Sequence, residues 1–187
     1  MPLLPREPNL FPPDLFNPEY FARHAEREWW VLYTLARREK DLMRRLLGTG
    51  VSFYCPVIVK RTRAPSGRVH VAHVPLFTSY VFLHGDEMAR YRALTTKCVS
   101  RALAVKDSAA MTRQLQQIER LIAAGCDLQP HRQIASGARV RMRRGPLCGI
   151  EGMMLRDEGH SRLFVAVDVV RQGASLAIDD GDLEWIP

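Results

Sequence analysis

Six histidines, four cysteines and a short run of C-terminal acids are the residues of this chain that could hold a metal or carry catalysis. Their spacing supports neither. His24, His70, His73, His84, His131 and His160 form no HExxH-type pair. His70 and His73 stand three apart on an expected strand, so their side chains face opposite sides. Cys55, Cys98, Cys126 and Cys148 make no CxxC and no Cys/His pair at zinc-ligand spacing, and they suggest no disulfide framework. Asp179 and Asp180, with Asp182 close by, read as a turn. There is no P-loop and no GxGxxG. The chain is therefore expected not to be an enzyme, and to need neither metal nor cofactor.

The chemistry that remains is binding, and it has two components. The first is charge. Of the formal net +7 over 187 residues, the middle of the chain carries more than its share: residues 29–106 hold 14 Lys+Arg against 4 Asp+Glu. Residues 137–187 hold 7 against 8. A positive field confined to one segment suits a domain that faces a polyanion, and a solvated basic face is the alternative. The second component is aromatic. Val74 to His84 is a short apolar run with Phe77, Tyr80 and Phe82 around Thr78 and Ser79, bounded by Pro75 and by Gly85-Asp86. It reads as a buried strand whose Tyr80 and Phe82 share a face. No apolar run reaches the roughly 18–20 residues of a membrane span, and the N-terminus lacks the h-region of a secretory signal, so a cytoplasmic protein with no membrane contact is expected.

The elements that must position these groups follow in order. Residues 1–28 form a proline-rich arm ending in a short helix from Glu19 to Arg27, capped by Asn17 and started by Pro18, whose Tyr20, Phe21 and Ala25 could lie against the next domain. Residues 29–34 are a strand by composition. Ala36 to Leu47 carries an apolar stripe of Leu42, Met43, Leu46 and Leu47 and stops at Gly48, which predicts a helix. Val51 to Val59 is a strand, and Lys60 to Arg68 is a basic hairpin tip around Pro65 and Gly67. After the aromatic strand come a helix capped by Asp86, a strand from Cys98 to Val105, and a helix from Ser108 with Met111, Leu115, Ile118 and Ile122 on one stripe. These predict a mixed sheet with flanking helices over 29–124 and a linker over 125–136. Residues 137–187 break into short strands (Val140 to Met142, Ile150 to Leu155, Leu163 to Val170, Leu176 to Ile178) that predict a small β-barrel.

Within that last segment, Gly137-Ala138-Arg139-Val140-Arg141-Met142-Arg143-Arg144-Gly145-Pro146-Leu147-Cys148-Gly149-Ile150-Glu151-Gly152 resembles a KOW motif, with Gly137, Gly145, Pro146, Gly149 and Gly152 at its turns. Upstream, Trp29-Trp30-Val31-Leu32-Tyr33, a helix, a basic hairpin and Pro75 to Phe82 resemble the N-terminal (NGN) domain of NusG-type transcription factors. The resemblance covers about residues 29–187 and is close in type to the specialised RfaH-type paralogues.

What it implies is an α+β protein, an NGN-type mixed sheet domain linked to a small all-β, SH3-like KOW barrel. Such a protein acts as a monomeric elongation, antitermination or termination factor. By position, Val31, Tyr33, Phe77, Tyr80 and Phe82 would dock on the β′ clamp helices of RNA polymerase. Arg37, Arg38, Lys40, Arg90 and Arg92 would face non-template or upstream DNA. Lys60, Arg61, Arg63 and Arg68 on the hairpin could contact nucleic acid too, with a solvated hairpin as the alternative.

Three departures from the family pattern stand out. Phe77-Thr78-Ser79-Tyr80 replaces a Phe-Pro-Gly-Tyr or Phe-Pro-Asn-Tyr, so strand geometry there could differ. Tyr91-Arg92-Ala93 lies near the place of a His-Thr-Thr contact to the polymerase β subunit. Val169-Val170-Arg171-Gln172-Gly173 lacks the late aromatic that meets Rho or a ribosomal protein. The alternation of Val165, Val167 and Val169 favours a constitutive barrel over the helical hairpin that RfaH can form. The alternative function is a KOW protein that binds RNA or the ribosome without a polymerase role.

Overall fold

The proline-rich arm is bound to the sheet that follows it. In the computed structural model, which describes residues 8–133, 136–157 and 160–187, Leu10–Phe11 forms a two-residue strand (β1). A short helix (α1, Pro18–Arg23) follows, ending four residues before the expected Arg27. Leu15 and Tyr20 are buried while Ala25 is exposed, so of the arm residues expected to pack, Tyr20 does and Ala25 does not. Residues 1–7 of the arm and 134–135 of the expected linker lie outside the described residues.

The chain divides into two compact units, Met1–Lys106 and Asp107–Pro187. In the first, β2 (Glu28–Thr34) leads to α2 (Glu39–Gly48), whose Leu42, Met43 and Leu46 are buried. The helix begins three residues later than its stripe suggests because Arg37 takes a left-handed φ of 61°. The expected strand over 51–59 splits at Pro56 into β3 (Phe53–Tyr54) and β4 (Val57–Arg63). A tight turn with Gly67 at φ 81° returns the chain as β5 (Val69–Pro75). Then come β6 (Tyr80–Gly85), α3 (Glu87–Thr95) and β7 (Val99–Ala104). The Asp86 carboxylate caps α3 by accepting from the Ala89 amide at 2.8 Å.

The five-stranded sheet runs β1-β3-β6-β2-β7, and every pairing is antiparallel where a mixed sheet was expected. The reason is topological. β2-α2-β3 and β6-α3-β7 are crossover units, but each pair of strands has another strand inserted between its members, so parallel neighbours never meet. One face of this sheet packs on the helices, with Trp30, Leu32, Val81 and Leu83 against Leu42, Met43 and Leu46 of α2 and Ala93 of α3, while on the other face Trp29, Val31, Tyr54, Phe82 and His84 are buried too.

The second unit starts with α4 (Ser108–Ala123), capped by Asp107 rather than Ser108. Its buried stripe is Met111, Leu115, Ile118 and Leu121; Leu121 replaces the expected Ile122. Six strands follow: β8 (Gln129–His131), β9 (Ala138–Met142), β10 (Glu151–Asp157), β11 (His160–Val167), β12 (Gln172–Ala177) and β13 (Leu183–Trp185). They order as β13-β9-β10-β11-β12-β8, all antiparallel. Residues 168–170, expected to extend the strand, form a single 3-10 turn.

α4 falls within the second compact unit. α4 packs along β11, and both Phe164 and Val165, on opposite faces of that strand, are buried. Polar side chains tie the helix down: the Gln114 amide donates to Asp168 at 2.6 Å and accepts from its backbone N–H at 3.1 Å. Gln117 accepts from the Glu151 amide at 2.6 Å, and Arg120 donates to the Cys148 carbonyl at 2.8 Å. The stretch expected as a linker contributes β8, which lengthens the sheet by pairing with β12.

A buried histidine joins the arm to the sheet. His84, only 2% exposed, shares a hydrogen bond between its Nδ1 and the Tyr20 hydroxyl (3.1 Å), and Arg27 donates to the same tyrosine oxygen at 3.3 Å. Burial, then the charge of Arg27, pushes the His84 pKa down to about 4. The folded chain thus binds fewer protons than the unfolded chain below about pH 6.5, and stability falls as pH drops from there towards 4. We expect acidification from pH 7 to 5 to cost about 2 kcal/mol. Fluorescence of Trp29, whose ring centroid is 4.9 Å from that of His84, reads the change, and a His84→Gln variant should lose most of the slope.

Candidate functional site

The residues expected to dock on a partner divide by burial. Val31, Phe77 and Phe82 are 1%, 1% and 0% exposed, and the Phe77 and Phe82 rings meet edge to face. These three are core. Tyr33 is 43% exposed and Tyr80 half-buried, and their rings meet edge to face at 5.2 Å between centroids. Tyr33 pairs with Tyr80 across β2 and β6, and with Arg101 across β2 and β7. Leu103, directly opposite Val31 and 43% exposed, continues the surface along β7. The candidate site is therefore Tyr33, Tyr80, Arg101 and Leu103, a mixed aromatic, apolar and cationic patch on the sheet face opposite α2. Arg101 and Leu103 were not singled out from the sequence; the two-residue alternation of β7 against Tyr33 was the only signal for them.

Phe77 is not on the strand at all. Residues 76–79 form a turn closed by the Tyr80 amide donating to the Phe77 carbonyl at 3.2 Å, with Ser79 at φ 67°. This is the backbone that glycine or asparagine would adopt most readily, so the turn keeps its shape without either. Glu39 enforces it. Its carboxylate, in the first turn of α2 and 6% exposed as a residue, accepts from the Ser79 amide at 2.7 Å. Glu39→Ala should destabilise the chain by about 1–3 kcal/mol by leaving that amide unpaired. Ser79→Gly should stabilise it by up to about 1 kcal/mol. Paired thermal melts check both.

Tyr80 ionises less readily than a free tyrosine, first because it is partly buried and then because Tyr33 adjoins it. The Tyr80 hydroxyl therefore keeps its proton and can donate or accept.

The cations are distributed more widely than the patch. Arg37 is exposed at the bend before α2, and Lys40 is half-buried in its first turn. Arg38 pairs with Asp41 at 3.0 Å, and the hydrogen bond from Arg45, with help from Cys98 and Arg38, holds the Asp41 carboxyl below its usual range. On α3, Arg90 pairs with Glu87 at 2.7 Å and lies over Trp30, 5.2 Å from the ring centre. Arg92 is exposed, with no ion pair among the described residues. Lys60, Arg61, Arg63 and Arg68 are all exposed on the β4–β5 hairpin. Arg38 and Arg90 thus have part of their charge answered locally, while Arg37, Arg92 and the hairpin cations are the more available ones.

In the second unit the motif glycines serve two purposes. Gly145 and Gly149 have φ of 74° and 84° in the β9–β10 turn, flanking the exposed Pro146. Gly137 and Gly152 are needed for close approach instead: a Cβ there would strike the carbonyl groups of Met154 and Phe164 respectively. Among the described residues no cluster of histidine, cysteine and acid could hold a metal, and no helix is long and apolar enough to cross a membrane.

Comparison with known proteins places residues 27–125. A crystal structure described as an MjSpt4:Spt5 complex in conformation B is similar at 14% identity, covering 84% of this chain and 96% of that one with a TM-score of 0.27. No curated protein matches in sequence. The family model of NusG, described as transcription termination factor nusG, matches residues 27–125, which spans β2 to the end of α4 and more than half the chain. On that match, and with the split crossover sheet it encloses, the chain belongs to the NusG family of transcription factors.

Proposed function

We propose that this chain is a transcription elongation factor that binds RNA polymerase through Tyr33, Tyr80, Arg101 and Leu103, with the buried Phe77, Phe82 and Val31 supporting the patch from beside it. The observation that carries the reading is the Tyr33–Tyr80 ring pair, one ring exposed and the other half-buried, on the sheet face opposite α2 of a NusG-family domain. Paired aromatics with polar tips, next to an aliphatic side chain and an arginine, have the composition of interface anchors. In this reading residues 29–124 are the NGN domain and the surface meets the β′ clamp helices. Arg37, Lys40 and Arg92, with Arg38 and Arg90, attract non-template or upstream DNA, as do Lys60 and Arg68 of the hairpin. Residues 137–187 act as a KOW domain, reached by Rho or the ribosome, and the protein is a specialised paralogue of the RfaH type that binds rather than catalyses.

Titrating the full chain with core RNA polymerase and, separately, with ribosomal RNA tests it. Tighter binding to polymerase is expected, whereas preference for the RNA would assign the protein to the RNA- or ribosome-binding KOW class. Replacing Arg37, Lys40 and Arg92 by glutamate should flatten the salt dependence of DNA binding by about three phosphate contacts.

A further inference from the structure

The β4–β5 hairpin is a ribbon of two strands that pairs with no third strand among the described residues. Its register sorts the side chains onto two unlike faces. Lys60 lies opposite Ala72 and Thr62 opposite His70, which makes one face polar. On the other face Val59 lies opposite His73, Arg61 opposite Val71, and Arg63 opposite Val69. Val59 and Val71 are diagonal neighbours there, and Val69 follows Val71 along the strand, so the three form a continuous apolar stripe.

That stripe is open to solvent. Val59, Val69 and Val71 are 49%, 55% and 51% exposed. An isolated two-stranded ribbon is only marginally stable in water, and exposed branched side chains gain it nothing unless something covers them. Its charge is as one-sided as its apolarity: residues 57–75 contain Lys60, Arg61, Arg63 and Arg68 and no acid. Among the described residues none of these four makes an ion pair.

A nucleic-acid backbone would satisfy the cations but offers no apolar surface to three valines. A protein surface with an apolar centre and a carboxylate rim satisfies both, with Arg61 and Arg63 reaching the rim. We propose that the Val59–Val71–Val69 face of the hairpin is a second docking surface for RNA polymerase, seated on an apolar patch edged by acids. The inference rests on the polymerase reading above. It divides the hairpin: the valine face meets protein, and the Lys60–Thr62–His70 face stays free for phosphate.

The test uses the full chain and three variants. Val59→Thr with Val71→Thr keeps side-chain shape and β-branching, hence the ribbon, and removes only the apolar character. Its affinity for core RNA polymerase should fall about tenfold with its affinity for duplex DNA unchanged. Arg61→Glu with Arg63→Glu should also weaken polymerase binding and reduce its salt dependence. Tyr33→Ser with Tyr80→Ser serves as the reference for the first surface. If the threonine variant binds polymerase as the parent does while the tyrosine variant does not, the hairpin surface is wrong and the polymerase reading stands. If it loses DNA binding alone, nucleic acid occupies the valine face. If the parent chain does not bind polymerase at all, both readings fall.

Discussion

Serine at both Tyr33 and Tyr80 should lower affinity for core RNA polymerase at least a hundredfold while the chain stays folded. Aromatic anchors truncated at an interface cost about 2 kcal/mol or more each, and two that touch each other lose their mutual contact too. A combined loss of about 3–4 kcal/mol corresponds to a hundredfold to several-hundredfold change in the dissociation constant. The fold tolerates the change because Tyr33 is 43% exposed and Tyr80 half-buried; the edge-to-face contact between them is worth about 1 kcal/mol of stability. The choice of pair matters. Tyr80 with Phe82, the natural choice from strand alternation, would remove a ring that is 0% exposed and lose binding by unfolding the sheet. Anisotropy titration of each variant, alongside its thermal melt, separates the two effects. Parental affinity in a folded Tyr33/Tyr80 variant would exclude this surface.

The second large effect is expected in the other unit. Gly152→Ala should destabilise residues 107–187 by about 3 kcal/mol or more, against about 1 kcal/mol for Gly145→Ala. Gly152 pairs with Val140 on β9, and β10 brings it beside β11, where an added methyl would meet the Phe164 carbonyl and the Leu163 side chain. A backbone carbonyl in the middle of a ladder cannot move aside without breaking the sheet. At Gly145 nothing lies within 4 Å of the added carbon, so the penalty is only that of an L-residue at φ 74°. For a unit of this size the Gly152 effect corresponds to a fall of some 10–20 °C in its melting midpoint, readable by calorimetry. Equal losses at the two positions would mean that close approach at β10 is not what the second glycine provides.

Much of the fold was legible because it rests on local chemistry. The stripe of Leu42, Met43 and Leu46 specified α2, and Asp86 before an apolar turn specified the start of α3. Gly67 and Pro65 specified the hairpin, and the alternation of residues 163–167 specified β11. The family was legible as well, since the aromatic strand and the basic hairpin both lie within the matched residues 27–125. That Phe77 leaves the strand for a turn was not legible. It depends on a carboxylate 40 positions away, Glu39, accepting from Ser79.

The sequence by itself determined the main helices and the longer strands, that the cations gather between residues 29 and 106, and that aromatics cluster around position 80. Only the tertiary structure decided which of those aromatics are available. Val31, Tyr33, Phe77, Tyr80 and Phe82 share the apolar and aromatic character that both cores and interfaces use. Burial divides them, with Tyr33 and Tyr80 at the surface and the other three in the core. It also decided that β6 separates β2 from β3, and that α4 lies along β11. Periodicity within a segment shows which face of it is apolar, but which distant surface covers that face is set by packing between segments.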